Sequence, residues 1–261
     1  MPQPRVLILR APGTNCDLET AYAFGQAAAI AERCHMLRLL ESPALLRNYQ
    51  ILCVPGGFSY GDDLGAGRVA ALQIRRRLAE ELHAFRDAGK LILGICNGFQ
   101  ILLRSGLLVE DVPQQDGAVP GATLARNTSG RFEDRWVTLR VCSQRSPFFR
   151  EIERLELPVA HAEGRFVPRT PDVLAALEAA GRVVLRYTAP HGAVPAPYPY
   201  NPNGSVDDVA AVCDATGQVC GLMPHPERHV EGTHHPQWTR RPPHTPGDGL
   251  RVFQNAVAWF R

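Results

Sequence analysis

The chain has 261 residues, of which 45% are hydrophobic and 21% charged, and its formal net charge is +2. This composition can bury an ordinary core, and the charge gives no indication of a nucleic-acid or membrane-surface partner. The seven cysteines include no Cys-x-x-Cys pair, which is typical of a reducing compartment, so we expect a cytoplasmic protein. The apolar run at residues 6–9 is too short for a signal peptide or a membrane span.

The first hundred residues alternate short apolar runs with amphipathic stretches. The pattern predicts strands over 6–9, 51–54 and 91–95, a helix over 17–31, and a long helix, containing Leu78, Leu82 and Phe85, that ends at Gly89. Such alternation predicts parallel strands covered by helices on both faces. Ligands of these sheets bind beyond the carboxyl ends of the strands.

The second half of the chain has a looser pattern. It predicts strands over 136–141 and 182–187, an irregular proline-rich loop over 193–202, a hairpin of 209–213 and 219–223, a polar surface loop over 231–249 and a final helix over 250–260. No internal repeat is present, so we expect a single domain spanning residues 1–261. The predicted fold is α/β, with an open, mostly parallel central sheet flanked by helices and an antiparallel extension.

The segment around Cys96 has the pattern of a nucleophile elbow. An apolar strand runs into Gly94-Ile-Cys96-Asn-Gly98, and a helix is predicted to follow. Such a turn exposes the central side chain at the end of the strand, and a helix N-terminus favours the thiolate form of a cysteine. By itself, the segment also fits a buried cysteine between helix-capping glycines.

His225 and Glu227 follow a second apolar strand in the segment Met223-Pro-His-Pro-Glu227. In extended backbone, residues two apart project to the same side, so the carboxylate would orient the imidazole. Cys96, His225 and Glu227 would then supply a nucleophile, a general base and acid, and an orienting group. The alternative is a proline-constrained loop whose polar side chains are merely solvated.

A metal site is a further alternative, because His225 and His229 are four residues apart. His234, His235 and His244 lie nearby in the sequence. The flanking prolines disfavour a regular helix through the pair, and no acidic base is placed as in a His-Glu-x-x-His site. We therefore expect no bound metal.

Pro55-Gly56-Gly57 follows the predicted strand 51–54 and suggests an oxyanion hole. Small residues at a strand end let backbone N–H groups face a pocket, where Gly57 and Asn97 would stabilise a tetrahedral intermediate. An ordinary tight turn is the alternative. No Gly-x-x-x-x-Gly-Lys-Ser/Thr motif occurs in the sequence, so we expect no ATP or other cofactor on this chain.

Three motifs occur in this order along the chain: Pro-Gly-Gly-Phe, Gly-Ile-Cys-Asn-Gly-Phe-Gln and Met-Pro-His-Pro-Glu-Arg. Together they resemble the motifs of the class I, or triad, glutamine amidotransferases, which have a flavodoxin-like fold. Within that class, the segments 56–63, 127–133, 160–165 and 200–205 resemble the glutaminase subunits of phosphoribosylformylglycinamidine synthases, enzymes of purine biosynthesis. The resemblance covers nearly the whole chain, and Asn97 is a mark of this branch. Departures are the segment after Glu231, which is longer than usual, and Ala162, where glycine is commoner.

The resemblance implies a role for each matching position. Cys96 is the expected nucleophile, His225 the base and acid, and Glu227 the orienting carboxylate, with Gly57 and Asn97 as oxyanion donors. Substrate contacts are implied for four residues: Gln100, His161, Glu163 and Gly164.

The resemblance also implies partners. The implied substrate is L-glutamine, and the ammonia is expected to pass to an ATP-dependent synthetase that makes formylglycinamidine ribonucleotide. ATP and Mg²⁺ are expected on that subunit. A small third subunit often completes such assemblies. Three alternatives stay open: a glutaminase serving another acceptor, a cysteine-elbow hydrolase or peptidase of similar fold, and an inactive binding module.

Overall fold

The computed structural model describes residues 3–114, 117–190, 192–242 and 245–261. Its central element is a nine-stranded sheet in the order β2-β1-β3-β4-β13-β12-β11-β8-β9, and two small antiparallel pairs, β7 with β10 and β5 with β6, lie outside it. The strands are β1 (Arg5–Arg10), β2 (Ile30–His35), β3 (Ile51–Val54), β4 (Leu91–Ile95), β5 (Asp111–Gln114), β6 (Gly117–Pro120), β7 (Ala122–Ala125), β8 (Glu133–Val141), β9 (Arg154–His161), β10 (Arg165–Pro168), β11 (Val183–Tyr187), β12 (Val209–Cys213) and β13 (Val219–Leu222).

Helices flank this sheet. They are α1 (Asp17–Gln26), α2 (Met36–Glu41), α3 (Arg68–Arg77), α4 (Ala79–Asp87), α5 (Asn97–Arg104), α6 (Pro171–Ala179) and α7 (Leu250–Ala258). Helix α1 packs on α7 through an edge-to-face contact of Phe24 with Phe253, whose ring centroids are 4.9 Å apart. Both rings are fully buried, so this contact anchors the final helix to the core.

The sheet has two parts of different polarity. Strands β2, β1, β3, β4 and β13 are parallel to one another. Strands β12, β11, β8 and β9 continue the sheet in antiparallel pairing. Every residue of β3 and β4 is buried, as expected for central strands of a sheet covered by helices. The predicted α/β fold with an antiparallel extension is confirmed.

Two predicted helices have different bounds in the structure. The helix predicted over 17–31 ends at Gln26, and after Ala28, with a φ of +63°, the chain forms the edge strand β2. Glu32, Arg33 and His35 interrupt its apolar residues and only Cys34 is buried, so its sequence lacks the apolar run that marks the central strands. The long helix is two helices, because Leu78 leaves the helical conformation with φ −129° and ψ 0°.

The predicted hairpin is formed by β12 and β13, in which Cys213 pairs with Cys220. The predicted irregular loop 193–202 contains neither helix nor strand. Within the described part of 231–249, short 3-10 turns cover Gly232–His234 and Trp238–Arg240. His244 lies outside the described residues. Over the described ranges, no helix has the length and apolar character needed to cross a membrane.

Candidate active site

Four parallel strands end at the same edge of the sheet, and each is followed by a residue of interest. Cys16 follows β1, Gly56 follows β3, Cys96 follows β4 and His225 follows β13. Because neighbouring parallel strands direct their carboxyl ends to one edge, residues distant in the sequence meet there. A β-carbon at Gly56 would lie 2.8 Å from Cε1 of His225, 3.0 Å from Sγ of Cys16 and 3.5 Å from Cβ of Cys96.

Cys96 occupies the turn between β4 and α5. Its φ of +51° and ψ of −104° are a conformation that non-glycine residues rarely adopt, with a cost of about 1–3 kcal/mol. The side chain is 5% exposed, and its Sγ lies 3.6 Å from the carbonyl oxygen of Ala160. The expected sharp turn is therefore present, with the backbone strain on the cysteine itself, but the side chain that the turn was expected to expose is buried.

The elbow glycines serve close packing. A β-carbon at Gly98 would lie 1.8 Å from the carbonyl oxygen of Val54, and one at Gly94 would lie 2.7 Å from the carbonyl oxygen of Gly98. Neither glycine has a positive φ. Their role is thus to let α5 lie against β3 and β4, and the sharp turn expected of them from the sequence belongs to Cys96.

His225 and Glu227 form a buried pair. Nδ1 of His225 lies 2.6 Å from Oε1 of Glu227, and the two residues are 2% and 1% exposed. A short 3-10 turn at Pro226–Arg228 brings them together, not the extended backbone assumed from the sequence. Burial lowers the pKa of His225, but the Glu227 carboxylate and the Cys96 side chain outweigh burial and raise it well above its usual value. Proximity to both side chains therefore favours a charged imidazole.

Gly57 belongs to a loop that pairs with the segment after β1. It has a φ of +143°, forms an isolated bridge with Thr14, and is so close to that segment that a β-carbon would lie 2.7 Å from the carbonyl oxygen of Gly13. The amides of Asn15 and Cys16 donate to the carbonyl of Gly56. The proposed oxyanion loop is thus held by backbone hydrogen bonds to its neighbour.

Asn97 and Gln100 lie on the buried first turn of α5. The Asn97 amide donates to Oε1 of Gln100 at 2.8 Å and to Asp62 at 3.3 Å, and its oxygen accepts from the backbone of Ser59. Nε2 of Gln100 donates to the carbonyl of Glu163 at 2.6 Å. Both side chains therefore join the elbow to surrounding loops, and a substrate contact by Gln100 would use its remaining hydrogen-bonding capacity.

Glu163 and Gly164 lie in the loop that Gln100 contacts through the Glu163 carbonyl. The Glu163 carboxylate accepts from the amide of Ala66 at 3.4 Å and is 3.7 Å from Arg104. The amide of Gly164 donates to Oδ1 of Asn127, and its carbonyl accepts from Asn203. The polar groups of Gly164 are thus engaged inside the protein.

His161 is 3% exposed and packs on Gly164, where a β-carbon would lie 2.4 Å from its Cε1. Among the described residues, neither ring nitrogen of His161 has a hydrogen-bond partner. Burial, together with nearby His225, lowers the pKa of His161 to about 3. Because the lowered pKa lies far below physiological pH, this imidazole is neutral there.

Cys16 is a member of the site that sequence reasoning did not identify. Its sulfur lies 4.0 Å from Nδ1 of His225 and accepts a hydrogen bond from Arg228 at 3.2 Å. The signal in the sequence was its position in the connection between the predicted strand 6–9 and the predicted helix 17–31, immediately before that helix. Potential ligand atoms of Cys16, His225 and Glu227 lie within 4.8 Å of one another, the one such group in the described ranges.

The histidines considered as metal ligands have different neighbours. Nδ1 of His229 lies 2.6 Å from the carbonyl oxygen of Glu156, and the rings of His229 and His235 both pack edge-on against Trp136. His225 instead pairs with Glu227. The structure thus assigns His225 and His229 to separate surroundings.

The fold and the Cys–His–Glu arrangement define a class of protein. Residues 3–260 match the family described as CobB/CobQ-like glutamine amidotransferase domain, so the class is that of glutamine amidotransferases. A subunit PurQ of phosphoribosylformylglycinamidine synthase from Dehalococcoides mccartyi is 47% identical, over 100% of this chain and 99% of that protein. One from Methanococcus maripaludis is 37% identical, over 98% and 97%.

A solved structure supports the same relationship. The structure of PurLQS from Thermotoga maritima contains a chain that matches with a TM-score of 0.73 and 33% identity, covering 100% of both chains. The chain belongs to the family of PurQ subunits of phosphoribosylformylglycinamidine synthase. The family resemblance inferred from the sequence motifs is confirmed.

Proposed function

We propose that this chain is the glutaminase subunit of a phosphoribosylformylglycinamidine synthase. It hydrolyses glutamine to glutamate and ammonia, and the ammonia passes to a partner synthetase that makes formylglycinamidine ribonucleotide. The observation that carries the chemistry is the strained Cys96 beside the buried His225–Glu227 pair, whose nitrogen and oxygen are 2.6 Å apart. The family relationship supports the choice of acceptor.

In the first half-reaction, the Cys96 thiolate attacks the side-chain amide carbon of glutamine. A carbon–sulfur bond forms and the amide oxygen becomes an oxyanion, which the backbone N–H groups of Gly57 and Asn97 stabilise by roughly 3–4 kcal/mol per donor. The charged imidazole of His225 then donates its proton to the departing nitrogen. The carbon–nitrogen bond breaks, ammonia leaves, and a γ-glutamyl thioester remains on Cys96.

In the second half-reaction, neutral His225 takes one proton from water, whose oxygen attacks the thioester carbon. The carbon–sulfur bond breaks, glutamate leaves after its new γ-carboxyl group releases the second water proton to solvent, and the thiolate and charged imidazole are restored. Glu227 keeps Nδ1 of the imidazole protonated, so that Nε2 faces the reacting atoms. His161, Gln100, Glu163 and Gly164 form the wall of the glutamine pocket in this proposal.

Ammonia in water at neutral pH is mostly protonated, and the protonated form cannot attack an acceptor. A synthetase that uses the free base therefore benefits from a closed route between the two active sites. We assign ATP, Mg²⁺ and the acceptor to the synthetase, and no cofactor to this chain, since its sequence contains no phosphate-binding loop of the Walker type. A small third subunit completes the proposed assembly, and the name PurLQS of the Thermotoga maritima structure supports an assembly of more than one kind of subunit.

Replacement of the nucleophile tests the proposal. Cys96→Ala should reduce glutamine hydrolysis by at least about a thousandfold, because both half-reactions require the thiol. Cys142→Ala is the matched control, since Cys142 is a free, half-buried thiol that follows β8 away from the site. Near-normal turnover by the Cys96 variant would exclude the mechanism. A glutamine-analogue diazoketone should label Cys96 with protection by glutamine, whereas a peptidase of similar fold would show no such protection.

We also propose a cytoplasmic location. All seven cysteines are free, as is usual for a reducing compartment. Cell fractionation tests the proposal, and recovery of the chain outside the cytoplasmic fraction would contradict it.

A further inference from the structure

Arg228 is adjacent in sequence to the triad carboxylate but is directed away from it. Its Nε lies 2.9 Å from Oε1 of Glu19, and its Nη2 donates to the Cys16 sulfur at 3.2 Å. Glu19 is in the first turn of α1, and Cys16 is the residue before that helix. The N-terminal end of α1 and the residue before it thus supply both partners of the Arg228 guanidinium.

Glu227 has a second oxygen to which the guanidinium could donate. Oε1 contacts His225, whereas Oε2 is buried and has no hydrogen-bond partner among the described residues. A guanidinium pairs with a carboxylate through two parallel hydrogen bonds, a stronger arrangement than a single bond from an imidazole. If Arg228 turned toward Glu227, it would compete with His225 for the carboxylate.

We propose that Glu19 and Cys16 are positioning residues that keep the Arg228 guanidinium away from Glu227, so that the Glu227 carboxylate remains hydrogen-bonded to His225. The inference rests on the proposed function and deepens it. Glu19 neutralises the guanidinium, and the Cys16 sulfur, 4.0 Å from Nδ1 of His225, occupies the space between the cation and the imidazole. Glu19 acts through Arg228, whereas Cys16 contacts both Arg228 and the imidazole of His225.

The test is a double-variant cycle in the assembled synthase, measured as glutamine hydrolysis with the synthetase, its nucleotide and its acceptor present. Glu19→Gln should lower kcat by about tenfold with an unchanged KM for glutamine, a partial loss of an acid–base contribution of about 10²–10⁴-fold. Arg228→Met, which removes the competing cation, should have nearly wild-type kcat. The kcat of the double variant should equal that of Arg228→Met, because without the guanidinium Glu19 has no effect on Glu227.

Glu32→Gln is the matched control. Glu32 is also a partly exposed, arginine-paired glutamate, but its partner is Arg5 at the start of β1, whereas Cys16 follows the end of that strand. We expect its kcat to equal that of the wild type. An unchanged kcat in Glu19→Gln, or an equal loss in the Arg228→Met background, would overturn the inference.

A second measurement separates failure of this inference from failure of the proposed function. The Nδ1 proton of His225, which is shared with Glu227, should give a strongly downfield proton resonance in the wild type. The resonance should weaken in Glu19→Gln and return in the double variant, whether or not the assembly hydrolyses glutamine. An unaltered resonance in Glu19→Gln overturns the inference, and absence of Cys96-dependent hydrolysis overturns the proposed function alone.

Discussion

Backbone strain and close packing are separate properties of the nucleophile turn. Cys96 itself has the positive φ of 51°, while Gly94 and Gly98 have ordinary φ values and allow close approach of α5 to two strands. The sequence pattern predicted a sharp turn at Cys96 but not this division, because the spacing of glycines does not show which residue is strained. The rigid surroundings of Cys96 hold a conformation that would be unfavourable in an isolated turn.

At the residue scale, the buried His161 should make the fold sensitive to acid. In the unfolded chain the pKa of a histidine is near 6.5, whereas in the folded protein burial lowers the pKa of His161 to about 3. Between these values the unfolded state binds the additional proton, so stability falls as the pH decreases from 6.5 toward 3. Above pH 6.5 both states are neutral, and this contribution to stability is complete.

Replacement of the imidazole tests this argument. Urea denaturation at about pH 7 and about pH 4.5 should show a smaller loss of unfolding free energy for His161→Leu than for the wild type. Because both proteins contain the same other titrating groups, the difference between their losses of unfolding free energy reports the contribution of His161. Equal losses for the two proteins would contradict the argument.

At the element scale, the parallel pairing of neighbouring strands, including the unpredicted pairing of β13 with β4, explains most of the site. The apolar runs at β1, β3, β4 and β13 were recognised from the sequence, and their shared sheet edge places Cys96 beside His225. The side-chain contacts of Asn97 with Asp62 and Ser59 were not predictable, because they join an irregular loop to α5 through tertiary structure. The edge strand β2 was also missed, since polar residues interrupt its apolar residues.

The packing of α5 gives a prediction at this scale. Gly98→Ala should destabilise the protein by about 1–3 kcal/mol or more, because a β-carbon would lie 1.8 Å from the carbonyl oxygen of Val54 and α5 must move. The control is Gly25→Ala in α1, where nothing lies within 4 Å of the added carbon and a gain of about 0.5–1 kcal/mol is expected.

The measurement is urea denaturation of both variants beside the wild type. If Gly98→Ala were as stable as Gly25→Ala, the close approach of α5 to β3 would not constrain the fold.

At the scale of the whole molecule, the chain contains the chemistry of ammonia release and depends on a partner for its use. The family relationship extends over residues 3–260, so the second half of the chain belongs to the same family domain as the parallel strands. That half contributes His225 and His161, and its loose sequence pattern predicted four of the strands described there, β8, β11, β12 and β13. The single-domain assignment for residues 1–261 stays a prediction.

Ammonia released at Cys96 is proposed to feed a synthetase, and amidation of formylglycinamide ribonucleotide by the assembled complex tests this role. With wild-type chain, both glutamine and ammonium salts should support the reaction. With Cys96→Ala, ammonium salts should still support it and glutamine should not. Amidation from glutamine at a normal rate with Cys96→Ala, or with the synthetase alone, would contradict the account.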